Sequence, residues 1–383
     1  MSSKSEQFSQ EVADFMGGGR CFLLAKGRVG LYVGLRALQL PRGAKIVMPG
    51  YTCMVVPSAV QFAGLTPVYV DIDPVTYNLD PKHLETETRN DIAALIVQHT
   101  YGIPCQMAPV SQWAAARSIP VIEDCCHTFG SRYQGRLCGT FGRFAFMSGQ
   151  WNKPFSTGLG GMLLVHDAEV ADRVAHIIAT EGHDPGWLKN AVLHAQIVAY
   201  RAMVRPGTAM LLTSLYRLCN KCGLAIGSSS QGEMKGEMPA RYLTTMAPCQ
   251  VSRGLREMSR IDDHIRHRTR MVAFYQAELP RIGLTPLPSD VAQGLPLLRY
   301  PVRVANKQEL LDLAARARVE IGSWFEVPLH PAGTQMEWFG YRQGMCPEAE
   351  AASREVINLP THPKVDANAA ERTLAFLQKF ARP

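Results

Sequence analysis

The stretch IPVIEDCCHTFG, Ile119–Gly130, reads as a buried strand that ends in chemistry. An apolar run leads into Glu123 and Asp124, two thiols and His127. Strands written as near-continuous apolar runs belong to parallel sheets covered on both faces. The same pattern recurs outward on both sides. KIVMPG (Lys45–Gly50), PVYVDID (Pro67–Asp73) and AALIVQHTYG (Ala93–Gly102) precede it, and RFAFMSG (Arg143–Gly149) and GGMLLVHD (Gly160–Asp167) follow. Helical patterns such as VGLYVGLRALQL and PVSQWAAARS lie between several of them. Strands alternating with helices predict an α/β layer fold with a mostly parallel sheet flanked by helices. In such sheets ligands bind at the carboxyl ends of the strands, where the polar residues of this chain gather.

The chain has 383 residues, 46% of them apolar, enough for a large core and two or three domains. A net charge of +7 without a Lys/Arg-rich run argues against a dedicated nucleic-acid binder. The N-terminal MSSKSEQFSQEVADFMGGG lacks the apolar core of an export signal, and no apolar run is long enough to span a bilayer. Ten scattered cysteines therefore read as reduced thiols of a cytoplasmic protein. Cys219 and Cys222 form one C-x-x-C with no second pair at a zinc-site spacing, so no metal is expected.

Residues 1–252 read as the large domain. Within it, about 187–232 forms an apolar insertion with no Asp or Glu before its Ser/Gly linker. It reads as two helices broken near Pro206–Gly207. Its apolar faces, flanked by Arg and Lys, suit packing on its own domain or peripheral contact with an anionic membrane surface. A charged connecting helix is expected across 253–282. Residues 283–383 read as a small C-terminal α+β domain, with a strand at LLRYPVRVA and helices at KQELLDLAARAR and ANAAERTLAFLQKF.

Four features of the first half belong together: Asp124 at a strand end, Lys153 after one further strand, Tyr77 after a carboxylate-rich turn, and Gly27 at a helix start. A helix N-terminus suits a phosphate. Lys153 stands alone in charge within MSGQWNKPFSTGLGG, Met147–Gly161, as expected of a lysine kept for its amine. Pyridoxal phosphate (PLP) needs these parts: a lysine for the Schiff base, a carboxylate on the pyridine nitrogen, a stacking aromatic and a phosphate cup.

The order of these motifs resembles the DegT/StrS-type sugar aminotransferases of PLP fold type I. PVYVDIDPVTYNLDP (Pro67–Pro81), IEDCCHTFG (Ile122–Gly130), SGQWNKPFSTGLGG (Ser148–Gly161), VPLHPAG (Val327–Gly333) and INLPTHP (Ile357–Pro363) carry the resemblance. It runs from about Gly27 to Asp167 and returns from about Ala240 to the end. It implies Lys153 as the Schiff-base lysine, Asp124 as the pyridinium partner and Tyr77 as the stacking aromatic. It places His127, where the family usually has Gln, near the ring hydroxyl. Ser148, Gly27, Arg28 and Val29 fall at the phosphate, with Arg28 in place of the usual Thr. Arg28 either pairs with the phosphate or points to solvent, and His127 is a group able to titrate near neutral pH. Arg241 and His330 are substrate candidates, and Leu159 replaces the family's Glu. His99 reads as structural, and Cys125 and Cys126 as buried fillers.

The implied activity is ping-pong transfer of an amino group from an amino acid, L-glutamate by resemblance, to a nucleotide-linked keto-sugar, in a homodimer with shared active sites. Three alternatives remain: a non-sugar or lipid-linked ketone, dehydration, or a non-catalytic scaffold docked on a membrane.

Overall fold

The computed structural model describes residues 3–86, 91–203 and 225–382. The chain begins α1 (Lys4–Phe15), β1 (Arg20–Leu24), α2 (Gly27–Ala37), β2 (Lys45–Pro49), β3 (Thr52–Cys53), α3 (Val55–Phe62), β4 (Thr66–Val70) and α4 (Pro81–Glu85). It continues β5 (Ile92–Gln98), α5 (Met107–Ala116), β6 (Val121–Asp124), a hairpin of β7 (Arg132–Tyr133) and β8 (Arg136–Leu137), β9 (Phe144–Ser148), β10 (Gly161–Val165), α6 (Ala168–Glu181) and α7 (Gly186–Met203). Seven strands form one sheet in the order β1-β10-β9-β6-β5-β2-β4. The pairs β4–β2, β2–β5, β5–β6 and β6–β9 are parallel. The expected mostly parallel sheet is present, with one departure: β10 runs antiparallel to both β9 and β1. No helix separates Ser148 from Gly161, and without a crossover the chain can return only antiparallel.

Helix α2 shows how sequence positions the site. Its glycines at 27, 30 and 34 share one face. A Cβ at Gly34 would meet the Phe144 ring at 2.6 Å, and one at Gly27 would meet the Met147 carbonyl oxygen at 2.8 Å. The small face lets α2 lie close on β9 and sets its N-terminus beside Ser148. Alanine at Gly34 would overpack this seam at a cost of about 1–3 kcal/mol.

The C-terminal unit pairs β11 (Arg299–Arg303) antiparallel with β13 (Val356–Pro360), beside helices Lys307–Ala317, Pro347–Glu355 and Ala367–Phe380. Its ties to the large unit include a strand pairing and a helix cap. The short β12 (Leu329–His330) pairs parallel with β3. Asp71, from the PVYVDID turn, accepts hydrogen bonds from the Glu348 and Ala349 N–H groups at 2.8 and 3.0 Å, capping the helix Pro347–Glu355. Thus one carboxylate of that motif serves the fold rather than the reaction.

The single connecting helix expected from Arg253 onward is two helices, Pro248–Met258 and Ile261–Glu278. Arg260, at φ −123° and ψ 8°, breaks the run. Asp262 and Asp263 then open the second helix, where carboxylates favour the N-terminus. Helix α7 is the first part of the expected insertion. Its Leu193 packs with Leu159 and Ala247, and Trp151 and Ile226 lie against that cluster. The inner face of α7 therefore packs on its own domain. Trp187, 80% exposed, and Leu188 lie on its outer side. No helix among the described residues is long and apolar enough to cross a membrane, and nothing in the structure supports the membrane-contact expectation. The break near Pro206–Gly207 and the Cys219/Cys222 pair lie outside the described residues.

Candidate active site

The site forms where β6 and β9 end, at the N-terminus of α2. Asp124 closes β6 and pairs in register with Phe146 of β9. Its carboxylate accepts one hydrogen bond from protein backbone, the Cys126 N–H at 2.9 Å. Burial pushes this carboxyl above its ordinary range, while the Cys126 N–H and the Lys153 charge pull it back.

Lys153 sits in the loop that joins β9 to β10. The loop is drawn shut by Gly149 N–H to Gly160 O and Thr157 N–H to Gly149 O, both 2.8 Å. Its glycines are required by space: a Cβ at Gly149 would meet Thr157 Oγ1 at 2.5 Å, and one at Gly161 would strike the Lys26 carbonyl. The Lys153 Nζ stands 4.4 Å from the centre of the Trp324 ring. Burial lowers the pKa of this amine. Cys126, Asp124 and Cys53 oppose that, and Arg299 adds to it. A lowered pKa enriches the neutral, nucleophilic amine.

His127 is buried at 3% exposure. Its Nδ1 accepts the Tyr101 N–H at 3.3 Å, which leaves the ring proton on Nε2. Its ring stacks on Trp324 at 5.0 Å with an 18° interplanar angle. Burial, then the charges of Lys153, Arg299 and His330, hold its pKa well below the ordinary value. The expectation that His127 titrates near neutral pH is therefore corrected: it stays neutral there.

Tyr77 joins the ring cluster through Tyr101. It meets Tyr101 edge-on at 5.5 Å, and the Arg303 guanidinium lies 5.7 Å from its ring centre. Tyr101 also neighbours His127, its ring 20° from the plane of the imidazole at 6.4 Å. The aromatic ring facing Lys153 is Trp324, which sequence reasoning missed.

At the α2 N-terminus, Gly27, Arg28 and Val29 form the first turn, and no side chain caps it. Ser148 touches this turn, since a Cβ on Gly27 would lie 3.2 Å from its Cβ. The Arg28 side chain takes neither expected course. Its guanidinium donates to Glu233 at 2.8 Å, to the Ser228 carbonyl at 2.8 Å and to Ser229 Oγ at 3.0 Å. The pair is buried, with side chains 8% and 2% exposed, and Lys26 Nζ lies 3.6 Å from the same carboxylate. Arg241 is exposed, at φ 60°, and the structure does not bring it to Lys153. His330 does reach the cluster: its Nε2 accepts the Trp324 indole N–H at 3.0 Å. Leu159 is a buried contact of α7.

His99, Glu123 and Cys125 bring ligand-type atoms together in the core. Their valences are already spent on the fold. Glu123 accepts from the Gly139, Phe141 and Gly142 N–H groups at 2.6–2.7 Å, and from His99 Nε2 at 3.1 Å. His99 Nδ1 accepts the Cys105 N–H. The structural reading of His99 fits this brace.

The whole arrangement meets the needs of PLP on its own chemistry: a desolvated amine, a buried carboxylate facing it, and an uncapped helix N-terminus touching the same strand end. A model of the DegT/DnrJ/EryC1/StrS aminotransferase family matches residues 1–378, and the chain belongs to that family. It is a PLP-dependent aminotransferase of the fold type I architecture. Among similar proteins, the GDP-perosamine synthase of Escherichia coli O157:H7 is 35% identical over 153 residues, 40% of this chain and 42% of that one. The GDP-perosamine synthase of Caulobacter vibrioides is 26% identical over 381 residues, 97% of this chain and 89% of that one. A Helicobacter pylori aminotransferase of pseudoaminic acid biosynthesis shares the fold at a TM-score of 0.76 and 16% identity, covering 99% of this chain and 91% of that one.

Proposed function

We propose that the chain moves an amino group from an amino acid, L-glutamate first among them, to a nucleotide-linked keto-sugar in two half-reactions. The observation that carries this reading is the Lys153 amine, its pKa lowered by burial, beside Asp124 at the strand ends. Two relatives named for GDP-perosamine support the nucleotide link. Bound PLP supplies an electron sink that labilises the α-hydrogen of the donor. Lys153 then has two tasks, to hold the cofactor covalently and to move a proton as general base and acid. Asp124 keeps a proton on the pyridine nitrogen. His127 offers its Nε2–H as a neutral donor. Gly27, Arg28 and Val29 at the helix start and Ser148 beside them would hold the phosphate, with the Val29 N–H itself turned to the Lys26 carbonyl at 3.1 Å. The Arg28 charge itself is neutralised by Glu233. The large unit, 1–252, and the small unit, 283–383, are proposed as separate domains joined through 253–282, working as a homodimer.

The test is transfer of isotope. With PLP, 15N-labelled L-glutamate and a panel of nucleotide-linked 3- and 4-keto-sugars, the expected result is a labelled amino-sugar nucleotide by mass spectrometry, absent with Lys153→Ala. Label entering only a free cyclitol or another non-nucleotide ketone would overturn the nucleotide link. No label in any acceptor would overturn the transfer.

A further inference from the structure

Lys307 opens the helix Lys307–Ala317 of the C-terminal unit and is buried at 7% exposure. Two costs attend that placement. A buried ammonium loses its hydration, and a cation in the first turn of a helix opposes the helix dipole. Its Nζ donates to two main-chain carbonyls rather than to a carboxylate, Phe325 at 3.1 Å and Ser353 at 2.7 Å. Glu326, whose charge it feels, accepts instead from Ser323 Oγ at 3.0 Å and from the Ala332 N–H at 3.2 Å. Burial lowers the Lys307 amine to about 8, and the Glu326 charge opposes that. An apolar side chain at this position would escape both costs, so what the ammonium holds is informative.

The segment so held carries the ring that faces Lys153. Trp324 and Phe325 are gripped from both sides. Tyr101 of the large unit donates its hydroxyl to the Trp324 carbonyl, and the Tyr51 hydroxyl accepts the Phe325 N–H at 3.3 Å. From the C-terminal unit, Lys307 takes the Phe325 carbonyl, and His330 Nε2 accepts the Trp324 indole N–H at 3.0 Å. Of these grips, that of Lys307 is the one made by an ammonium, and charge-assisted hydrogen bonds are the stronger kind. The indole placed in this way has its ring centre 4.4 Å from Lys153 Nζ and stacks on His127 at 5.0 Å. An aromatic wall beside an amine keeps water from it, and burial is the largest cause of the lowered Lys153 pKa.

We propose that Lys307 is a positioning residue for the transfer reaction: by holding the Phe325 carbonyl it keeps the Trp324 indole across Lys153 and shields the reacting amine from water. This rests on the reading of Lys153 as the lysine that holds the cofactor. Lys307 acts through Phe325 and Trp324, and Lys153 performs the chemistry.

The test reads the position of Trp324 and the shielding of Lys153 separately. The five tryptophans are replaced by 5-fluorotryptophan in the full chain without cofactor, and the Trp324 signal in the fluorine NMR spectrum is assigned with Trp324→Phe. Lys307→Met is expected to move or broaden that signal and leave the signal of Trp113, in α5 of the large unit, in place. Lys307→Arg, which keeps a cationic donor, should fall between. In the PLP-loaded protein, hydroxylamine serves as a small nucleophile that strips the cofactor from its lysine. At pH 7, where Lys307 is charged, Lys307→Met should lose its visible band to hydroxylamine about 10-fold faster or more than wild type, the equivalent of one charged hydrogen bond lost. Trp324→Leu should show the same acceleration, and the double variant no more than either single one. An unmoved Trp324 signal in Lys307→Met, or equal movement of all five signals, would overturn the positioning role. So would an unchanged hydroxylamine rate, or accelerations that add in the double variant. A Trp324 signal that depends on Lys307, in a protein whose Lys153→Ala variant still holds PLP covalently, would leave the hold on Trp324 standing and overturn the reading of Lys153.

Discussion

Glu123 and Asp124 are neighbours on β6, yet successive strand residues face opposite sides of the sheet, and their surroundings differ accordingly. Glu123 accepts three backbone N–H groups and the His99 imidazole. Burial alone would raise its pKa, but these donors outweigh it and hold the carboxyl below its ordinary range. Asp124 accepts one backbone N–H, and burial wins, so its carboxyl is pushed up. A carboxylate that serves the fold is saturated by fixed donors. One that serves a reaction is left short of donors and set against a cation that can change partners. The cost of that shortfall is borne at the site, where perturbed pKa values concentrate.

The largest expected effect separates these two residues. Glu123→Ala strands three N–H groups, one of them fully buried, and the buried His99, and should cost more than about 3 kcal/mol in urea unfolding. Asp124→Ala should change stability by less than about 1 kcal/mol, since it removes a carboxyl that burial already disfavours. Equal stability losses would break the contrast. The kinetic effect should run the other way: Asp124→Asn should slow the half-reaction with L-glutamate by at least about 100-fold. An active Asp124→Asn would show that this carboxylate is structural too.

A third acid sharpens the comparison. Glu233 is buried like Asp124 but paired like Glu123. Burial raises its pKa, and Arg28 and Lys26 together bring it below the ordinary 4.5. A carboxyl depressed on folding contributes its stability in full above that ordinary value and loses it as pH falls through the folded value. Wild-type stability should therefore fall further than that of Glu233→Gln as pH drops below the ordinary 4.5. Parallel acid profiles would remove the pair from the stability of this end of α2. The smallest effect is expected at His127. Burial and the nearby cations hold its pKa well below the ordinary 6.5, so its charging should give kcat/KM no acid limb at that value. His127→Gln should keep the shape of that profile and alter the rate by less than about 10-fold. A limb near pH 6.5 that vanishes in His127→Gln would contradict this.

The parts of the site legible in the sequence are those fixed by a strand end or a glycine-bearing turn. Asp124 follows a buried run, Lys153 stands alone among small and apolar residues, and Gly27 opens an uncapped helix; local pattern marks each. Trp324, Arg299 and Glu233 left no such mark. They come from segments far along the chain, and long-range contacts such as the pairing of β12 with β3, the Leu298 N–H on the Tyr101 carbonyl and the return of 225–234 onto α2 bring them in. The side-chain course of Arg28 was hidden for the same reason, because its partner lies about 200 residues away. For the fold, strand positions were legible from apolar runs, whereas the reversed β10 and the break at Arg260 depend on what a connection lacks or where charges fall.

One spectrum decides whether Lys153 does what its surroundings suit it for. The purified protein is mixed with PLP, freed of excess, and its visible absorbance recorded before and after L-glutamate, beside Lys153→Ala. The expected result is a visible band that bleaches with L-glutamate, together with a Lys153→Ala protein that retains no covalently held cofactor after borohydride reduction and denaturation. A wild-type protein that holds no PLP, or a Lys153→Ala variant that keeps it covalently and still reacts, would contradict the assignment of Lys153.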